Sequence, residues 1–345
     1  MPDSSLWLLL LIIALAIGFG LANGFNDAAN AIAPVIGTRV LSPRNAIILA
    51  AVFNFSGAAT GLAVAMTIGK GILVLEAVSY LTVIAALASV IIWTTIATYY
   101  GLPVSVSHGF IAGLAAAGIA VAGSGAVVWS KMGQVLSAVV TAPVLGFIGG
   151  FVLMVILLWV FRRTAPDRVR SIFGNLQILS AAFIAYSHGK NDGQMPIGVI
   201  AMALVIYYQR IGQFGQAAAV WDEVALSGNL WWVIVISALA ISSGMAMGGW
   251  RVIRTLGLRV TTLRPIHGFT AQASAATVIE AASQLGIPVS TTHCISSSIM
   301  GVGATKRLSA VRWGIAGNII AAWIATFPIC GGLGYLFAWL LKGVF

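Results

Sequence analysis

Two short stretches hold the residues whose types could do chemistry, and the chain uses each of them twice. Gly24-Phe25-Asn26-Asp27-Ala28-Ala29-Asn30 returns as Gly189-Lys190-Asn191-Asp192-Gly193-Gln194-Met195. Pro103-Val104-Ser105-Val106-Ser107-His108 returns as Pro288-Val289-Ser290-Thr291-Thr292-His293. The Gly-x-Asn-Asp copies put a carboxylate and amides beside long apolar runs. An ionised Asp at mid-membrane costs about 2.5–3.5 kcal/mol even on the lenient insertion scale. Spending that twice, at matching points, predicts a site. Asp27, Asn26, Asn30, Asp192 and Asn191, with unwound backbone around them, supply oxygens suited to Na⁺, and the carboxylates could instead carry protons. For a bound sodium ion the predicted ligands are Asp27, Asn30 and Asp192. The plainer alternative is that each Asp caps a helix or pairs with a buried base such as Lys190.

The proline copies suggest the opposite charge preference. Proline disfavours helix in the residue before it and suits a helix start. Ser105, Ser107, Ser290, Thr291 and Thr292 then cap two first turns and leave hydroxyl and N–H donors facing one point. A helix N-terminus with free donors is an anion site. Two facing each other would cradle a tetrahedral oxyanion. Ordinary capping would explain one copy; two copies beside two acidic motifs point to binding. A carboxylate and an anion 5 Å apart repel by about 3 kcal/mol at an effective dielectric of 20. An anion site beside Asp27 and Asp192 therefore needs bridging cations, and that is co-transport. His108 and His293 are expected to be structural hydrogen-bond donors. Glu280 is a candidate pathway residue and Glu76 a solvated one.

The elements that must position these residues are membrane helices. The 345 residues are 60% hydrophobic and 8% charged, against about 25% charged in soluble domains. Apolar runs long enough to span a bilayer recur throughout, so the expected fold is an all-α polytopic membrane protein. The net charge of +10 does not indicate a nucleic-acid partner, because the bases sit in short polar breaks: Arg162 to Arg170, Arg251 to Arg264, and Lys306 to Arg312. That is the positive-inside pattern of cytoplasmic loops. The run from Leu6 to Leu21 follows an acid, Asp3, and lacks an Ala-x-Ala-like site, so it is read as a retained first helix. Cys294 and Cys330 have no disulfide or metal spacing.

Taken in order, spans are expected from Ala46 to about Thr67, within Gly71–Tyr100, on to Val121, and from Thr141 to Phe161. The basic break follows, then the second motif and a span to Tyr208. A polar loop or surface helix covers 209–229, and Leu230–Gly249 and Gly268–Leu285 span again. Cys294–Gly303, Trp313–Ala325 and Pro328–Leu341 close the chain. This divides into a first transmembrane repeat (1–161), a basic cytoplasmic linker (162–174) and a second repeat (175–345). Paired, Gly/Pro-interrupted segments at matching positions are the best sequence pointer to a transporter's substrate site. Irregular backbone survives at membrane depth only inside protein or along a watery cavity.

At these residues the chain resembles the inorganic phosphate transporter family. The likeness rests on both Asn-Asp motifs, with Ser187-His188-Gly189-Lys190-Asn191-Asp192-Gly193-Gln194 resembling the bacterial low-affinity branch. It rests also on both proline segments, on Gly268-Phe269-Thr270-Ala271 and on Gly301-Val302-Gly303. The resemblance implies an inverted-topology repeat of about 11–12 helices, broken or re-entrant at the site. It further implies a homodimer in the bacterial inner membrane that imports inorganic phosphate with Na⁺ or H⁺ and uses no other cofactor. Carried over by position, phosphate falls to Ser105, Ser107, Ser290, Thr291, Thr292, Asp27 and Asp192, with Lys190 added. Gln272 stands where many members have Glu, Asn54 where animal members have an acid, and Lys190 where a small residue is usual. Two lost acids and a gained base favour proton coupling, or fewer sodium ions, over the family pattern.

A sulfate permease of the same fold is the alternative within the class. An intramembrane hydrolase pairing Ser105 with His108 would need one asymmetric site, whereas this chain offers two symmetric ones. A non-transporting phosphate sensor would need a signalling surface, and the sequence contains no soluble domain.

Overall fold

The computed structural model of the protein describes residues 4–224 and 228–343. Asp3, residues 225–227 of the expected polar segment and the last two residues of the second repeat lie outside the described residues. Apart from one isolated antiparallel bridge, Leu73 to Val127, the described residues form helices and their connections. They follow the apolar runs: α1 (Ser4–Gly37), α2 (Pro43–Ala58), α3 (Ala63–Lys70), α4 (Tyr80–Tyr100), α5 (Val106–Ala122) and α6 (Trp129–Val160). Then come α7 (Pro166–Asp192), α8 (Gln194–Arg210), α9 (Phe214–Glu223), α10 (Trp231–Met247) and α11 (Trp250–Arg254), which runs into a π turn over Thr255–Arg259. Finally come α12 (Pro265–Gln284), α13 (Thr291–Ala304) and α14 (Trp313–Lys342).

Four of these, α1, α4, α6 and α14, are long and apolar enough to cross a membrane singly. Two more crossings arise if each bent pair is one span: α2 with α3 (66°) and α10 with α11 and the π turn (60°). Local chemistry sets the ends. Ser42 accepts from the Asn45 N–H ahead of Pro43, and Ser79 and Thr82 form a reciprocal capping box, satisfying first-turn N–H groups that would otherwise be unpaired.

Three boundaries differ from the sequence expectation. Proline 328 does not divide the last segment, which is one helix; inside a packed bundle neighbouring groups can compensate for the missing N–H. The linker over 162–174 is mostly the start of α7, because Pro166 sits at its first position, where proline is well tolerated. The first Asn-Asp motif lies within the unbroken helix α1, so no unwound backbone accompanies Asp27. Next to the site, irregular backbone comes from the two proline segments, each the tip of a hairpin, α4–α5 and α12–α13, and from the break after Asp192 at Gly193.

The two halves are built alike. A Cβ at Gly24 would meet the Ile241 carbonyl and one at Gly189 the Asn54 carbonyl; one at Gly244 would meet that of Leu21 and one at Gly57 that of Tyr186. Thus α1 lies on α10 as α7 lies on α2, backbone against backbone, with the motif glycine at the crossing in both. The halves also exchange their last helices, since α6 packs on α13 and α14 on α5. This is the inverted-repeat architecture.

Candidate functional site

The two repeats meet at their acidic motifs. Helix α1 presents Asp27 and Asn30, α7 ends in His188 and Asp192, and α5 and α13 begin against them. Ser107 at the start of α5 donates to Asp192 Oδ1. Thr292 at the start of α13 donates to Asp27 Oδ1 at 2.9 Å, and its neighbour Thr291 donates to Asp192 Oδ2 at 2.9 Å. So the hydroxyl of each repeat's broken hairpin reaches the carboxylate of the other repeat. Asn30 ties the two threonines together, donating at 3.2 Å to Thr291 and 3.0 Å to Thr292. All of these side chains are buried.

His188 sits between the carboxylates. Its Nε2 lies 3.4 Å from Asp27 Oδ2 and 3.5 Å from Asp192 Oδ2, and its Nδ1 lies 2.7 Å from Asn54 Oδ1. Asn54 in turn donates to Ser242 at 3.3 Å, so both ring nitrogens face oxygen acceptors. One ligand atom from each of Asp27, His188 and Asp192 falls within 4.8 Å of the others. Sequence reasoning quoted His188 only as part of a motif. The available signal was its position four residues before Asp192, on the same helical face.

Several predicted residues are engaged differently from expectation. Lys190 is not turned to the carboxylates or to an anion; its ammonium pairs with Glu280 of α12, both largely buried. A carboxylate within reach balances its charge. Ser105 and Ser290 act as N-caps, accepting the His108 N–H at 3.3 Å and the His293 N–H at 3.1 Å. Asn26 donates to Thr98 (2.7 Å) and to the Leu102 carbonyl (3.3 Å). Asn191 donates to the Val289 carbonyl (2.6 Å) and accepts from Ser283 (3.5 Å). Each brackets the irregular tip of its own repeat's hairpin.

His108 and His293 pack against each other and their aromatic neighbours. They meet edge to face at 5.2 Å, and His293 stacks on Trp323 at 4.1 Å. Gln272 is fully buried and satisfied, donating to the Ala31 carbonyl at 2.7 Å and accepting from Ser180 at 3.1 Å. The neutral amide thus links α12 to α1 and α7.

The arrangement can hold opposite charges side by side. Two carboxylates and the Asn30 Oδ1, which has no partner among the described residues, are hard donors that fit a small cation. The first turns of α5 and α13 bring the positive ends of two helices to the same place. Residues 23–334 match the profile of the phosphate transporter family. The chain is 41% identical to a probable low-affinity inorganic phosphate transporter of Rhizobium meliloti (strain 1021), covering 93% of this chain and 92% of that one. It is 38% identical to a protein of the same description in Bacillus subtilis (strain 168), covering 99% and 100%. A solved structure titled "The sodium-dependent phosphate transporter" superposes with a TM-score of 0.86 at 25% identity, over 98% of this chain and all of that one. With its paired motifs, crossed repeats and shared acidic site, the chain belongs to the phosphate transporter family.

Proposed function

We propose that this multi-pass membrane protein is a secondary symporter that imports inorganic phosphate with a coupling cation, Na⁺ or H⁺, at the junction of its two repeats. The observation that carries the reading is the crossed pairing of Ser107 with Asp192 and Thr292 with Asp27. In the proposed mechanism phosphate approaches the first turns of α5 and α13. Ser107, Thr291 and Thr292 turn their hydroxyls from carboxylate to phosphate oxygens, and the N–H groups of those turns add to the donor set. Asp27 and Asp192 then lose their donors, and Na⁺ or a proton replaces them. Cation and anion stabilise each other's presence, so neither moves favourably alone; that is the physical content of coupling. Asn30 is assigned to the cation, Asn26 and Asn191 to holding the hairpin tips, and Ser105 and Ser290 to shaping the phosphate turn by capping. The solved relative described as sodium-dependent supports Na⁺, while neutral Gln272 and Asn54 near the site support a smaller cation load.

We extend the proposal to a bacterial inner-membrane homodimer built of repeats 1–161 and 175–345. The test is uptake of labelled phosphate into liposomes under separately imposed Na⁺ and H⁺ gradients. Asp27→Asn and Asp192→Asn are each expected to lower gradient-driven uptake at least about tenfold, since the lost charge is the cation's partner. Uptake that survives both substitutions would refute the site; uptake driven by neither gradient would refute the symport.

A further inference from the structure

Asn23 lies in α1 four residues before Asp27, fully buried, and neither its Oδ1 nor its Nδ2 has a hydrogen-bond partner among the described residues. A buried amide left without partners is rare and demands a reason. Its position supplies one. His188 stands four residues before Asp192, the same offset in the other repeat, and faces both carboxylates. On α1, Phe19, Asn23, Asp27 and Asn30 follow helical spacing along one face. Below Asn23, Phe19 packs on Phe110 of α5 with ring centroids 5.2 Å apart. Phe110 is three residues after Ser107, which bonds Asp192. Above Asn23, Asp27 bonds Thr292. Asn23 is therefore bracketed on one face of α1, between a contact with α5 at Phe110 and the contact of Asp27 with the start of α13.

We infer that Asn23 is a specificity residue that makes the site prefer phosphate to sulfate, an inference that rests on the oxyanion reading above. A carboxamide holds a donor NH2 group and an acceptor oxygen in fixed relation. Phosphate near neutral pH still has a P–O–H group, so Nδ2 can donate to one phosphate oxygen while Oδ1 accepts from the hydroxyl. Sulfate at that pH is fully ionised and has only acceptor oxygens. Placed identically, it sets an oxygen against Oδ1 with no hydrogen between them and leaves that buried acceptor unpaired. A site that hydrogen-bonds a substrate hydroxyl rejects the analogue lacking it far more strongly than a pocket discriminating by size.

The experiment uses the full-length protein in liposomes and reads the ratio of sulfate inhibition constant to phosphate KM. The same ratio is read by equilibrium displacement of labelled phosphate from detergent-solubilised protein. Arsenate, which keeps an As–O–H group, is the matched control. Asn23→Leu is expected to shrink the sulfate-to-phosphate ratio at least about tenfold, with arsenate moving in parallel with phosphate. Asn23→Ser, which keeps a donor and an acceptor, should restore part of it and serves as the informative variant if Asn23→Leu does not fold. A ratio that stays constant while all three anions weaken together would show a merely structural amide and overturn the inference. So would wild-type protein that binds phosphate and sulfate equally well. Loss of gradient-driven uptake with the binding ratio intact would count against symport and leave the role of Asn23 standing.

Discussion

The two Asn-Asp dipeptides divide their labour within each pair. Asp27 and Asp192 face the other repeat's hydroxyls, while Asn26 and Asn191 face their own repeat's hairpin. The amides therefore act through backbone order, whereas the acids act through charge. Asn26→Ala and Asn191→Ala are each expected to lower stability by about 1–3 kcal/mol, since a buried carbonyl loses its donor. Thermal unfolding in detergent should register this, and Asp192→Asn should leave the melting temperature nearly unchanged while lowering uptake. Full thermal stability with abolished transport in the asparagine variants would make them ligand groups instead. The sequence exposed these four residues because a polar cluster in apolar surroundings is locally conspicuous. His188 and Lys190 were not legible in the same way. What separates them is tertiary: His188 lies across from Asp27, 161 positions away, and Lys190 meets Glu280, 90 positions away.

At the scale of elements, backbone proximity decides whether the motifs can face each other. The crossings of α1 with α10 and of α7 with α2 leave no room for a methyl group at Gly24, Gly189, Gly57 or Gly244, because a carbonyl occupies its place. Gly24→Ala or Gly189→Ala should therefore push two helices apart, costing about 1–3 kcal/mol or more and moving the adjacent Asp off its hydroxyl. Gly174, also helical, has nothing within 4 Å of a built Cβ, so Gly174→Ala should raise stability by up to about 1 kcal/mol through helix propensity alone. Opposite signs from one substitution type are the test; the same sign at all three would mean the crossings are looser than the contacts imply. The proline-marked tips were readable beforehand because proline and serine act within a turn of chain. The fate of Pro34, Pro143 and Pro328, all inside continuous helices, was not, because neighbouring helices decide whether a broken backbone bond is tolerated.

Across the whole molecule the two hairpins converge on the buried site, and a threonine of the other repeat holds the turn that leads into each tip. Thr255 Oγ1 donates to the Gly101 carbonyl at 2.9 Å, and Thr67 Oγ1 donates to the Gly286 carbonyl at 2.7 Å. Both glycines have positive φ, 72° and 68°, so each tip makes the same tight turn. The Gly101 turn sits beside Arg251, which donates to the Tyr99 carbonyl. An alternating-access carrier must loosen its two hairpins one at a time. Removing one neutral hydrogen bond is worth about 1 kcal/mol, or roughly a fivefold shift in an open–closed equilibrium. Buried reporters Val104→Cys and Val289→Cys, with Cys294 and Cys330 replaced by Ala, can read the two tips through an impermeant maleimide. Thr67→Val should speed labelling of Val289→Cys and leave Val104→Cys unchanged, and Thr255→Val should do the reverse, with right-side-out and inverted vesicles both assayed. If either substitution speeds both reporters alike, the threonines hold the bundle together as a whole and do not latch separate hairpins.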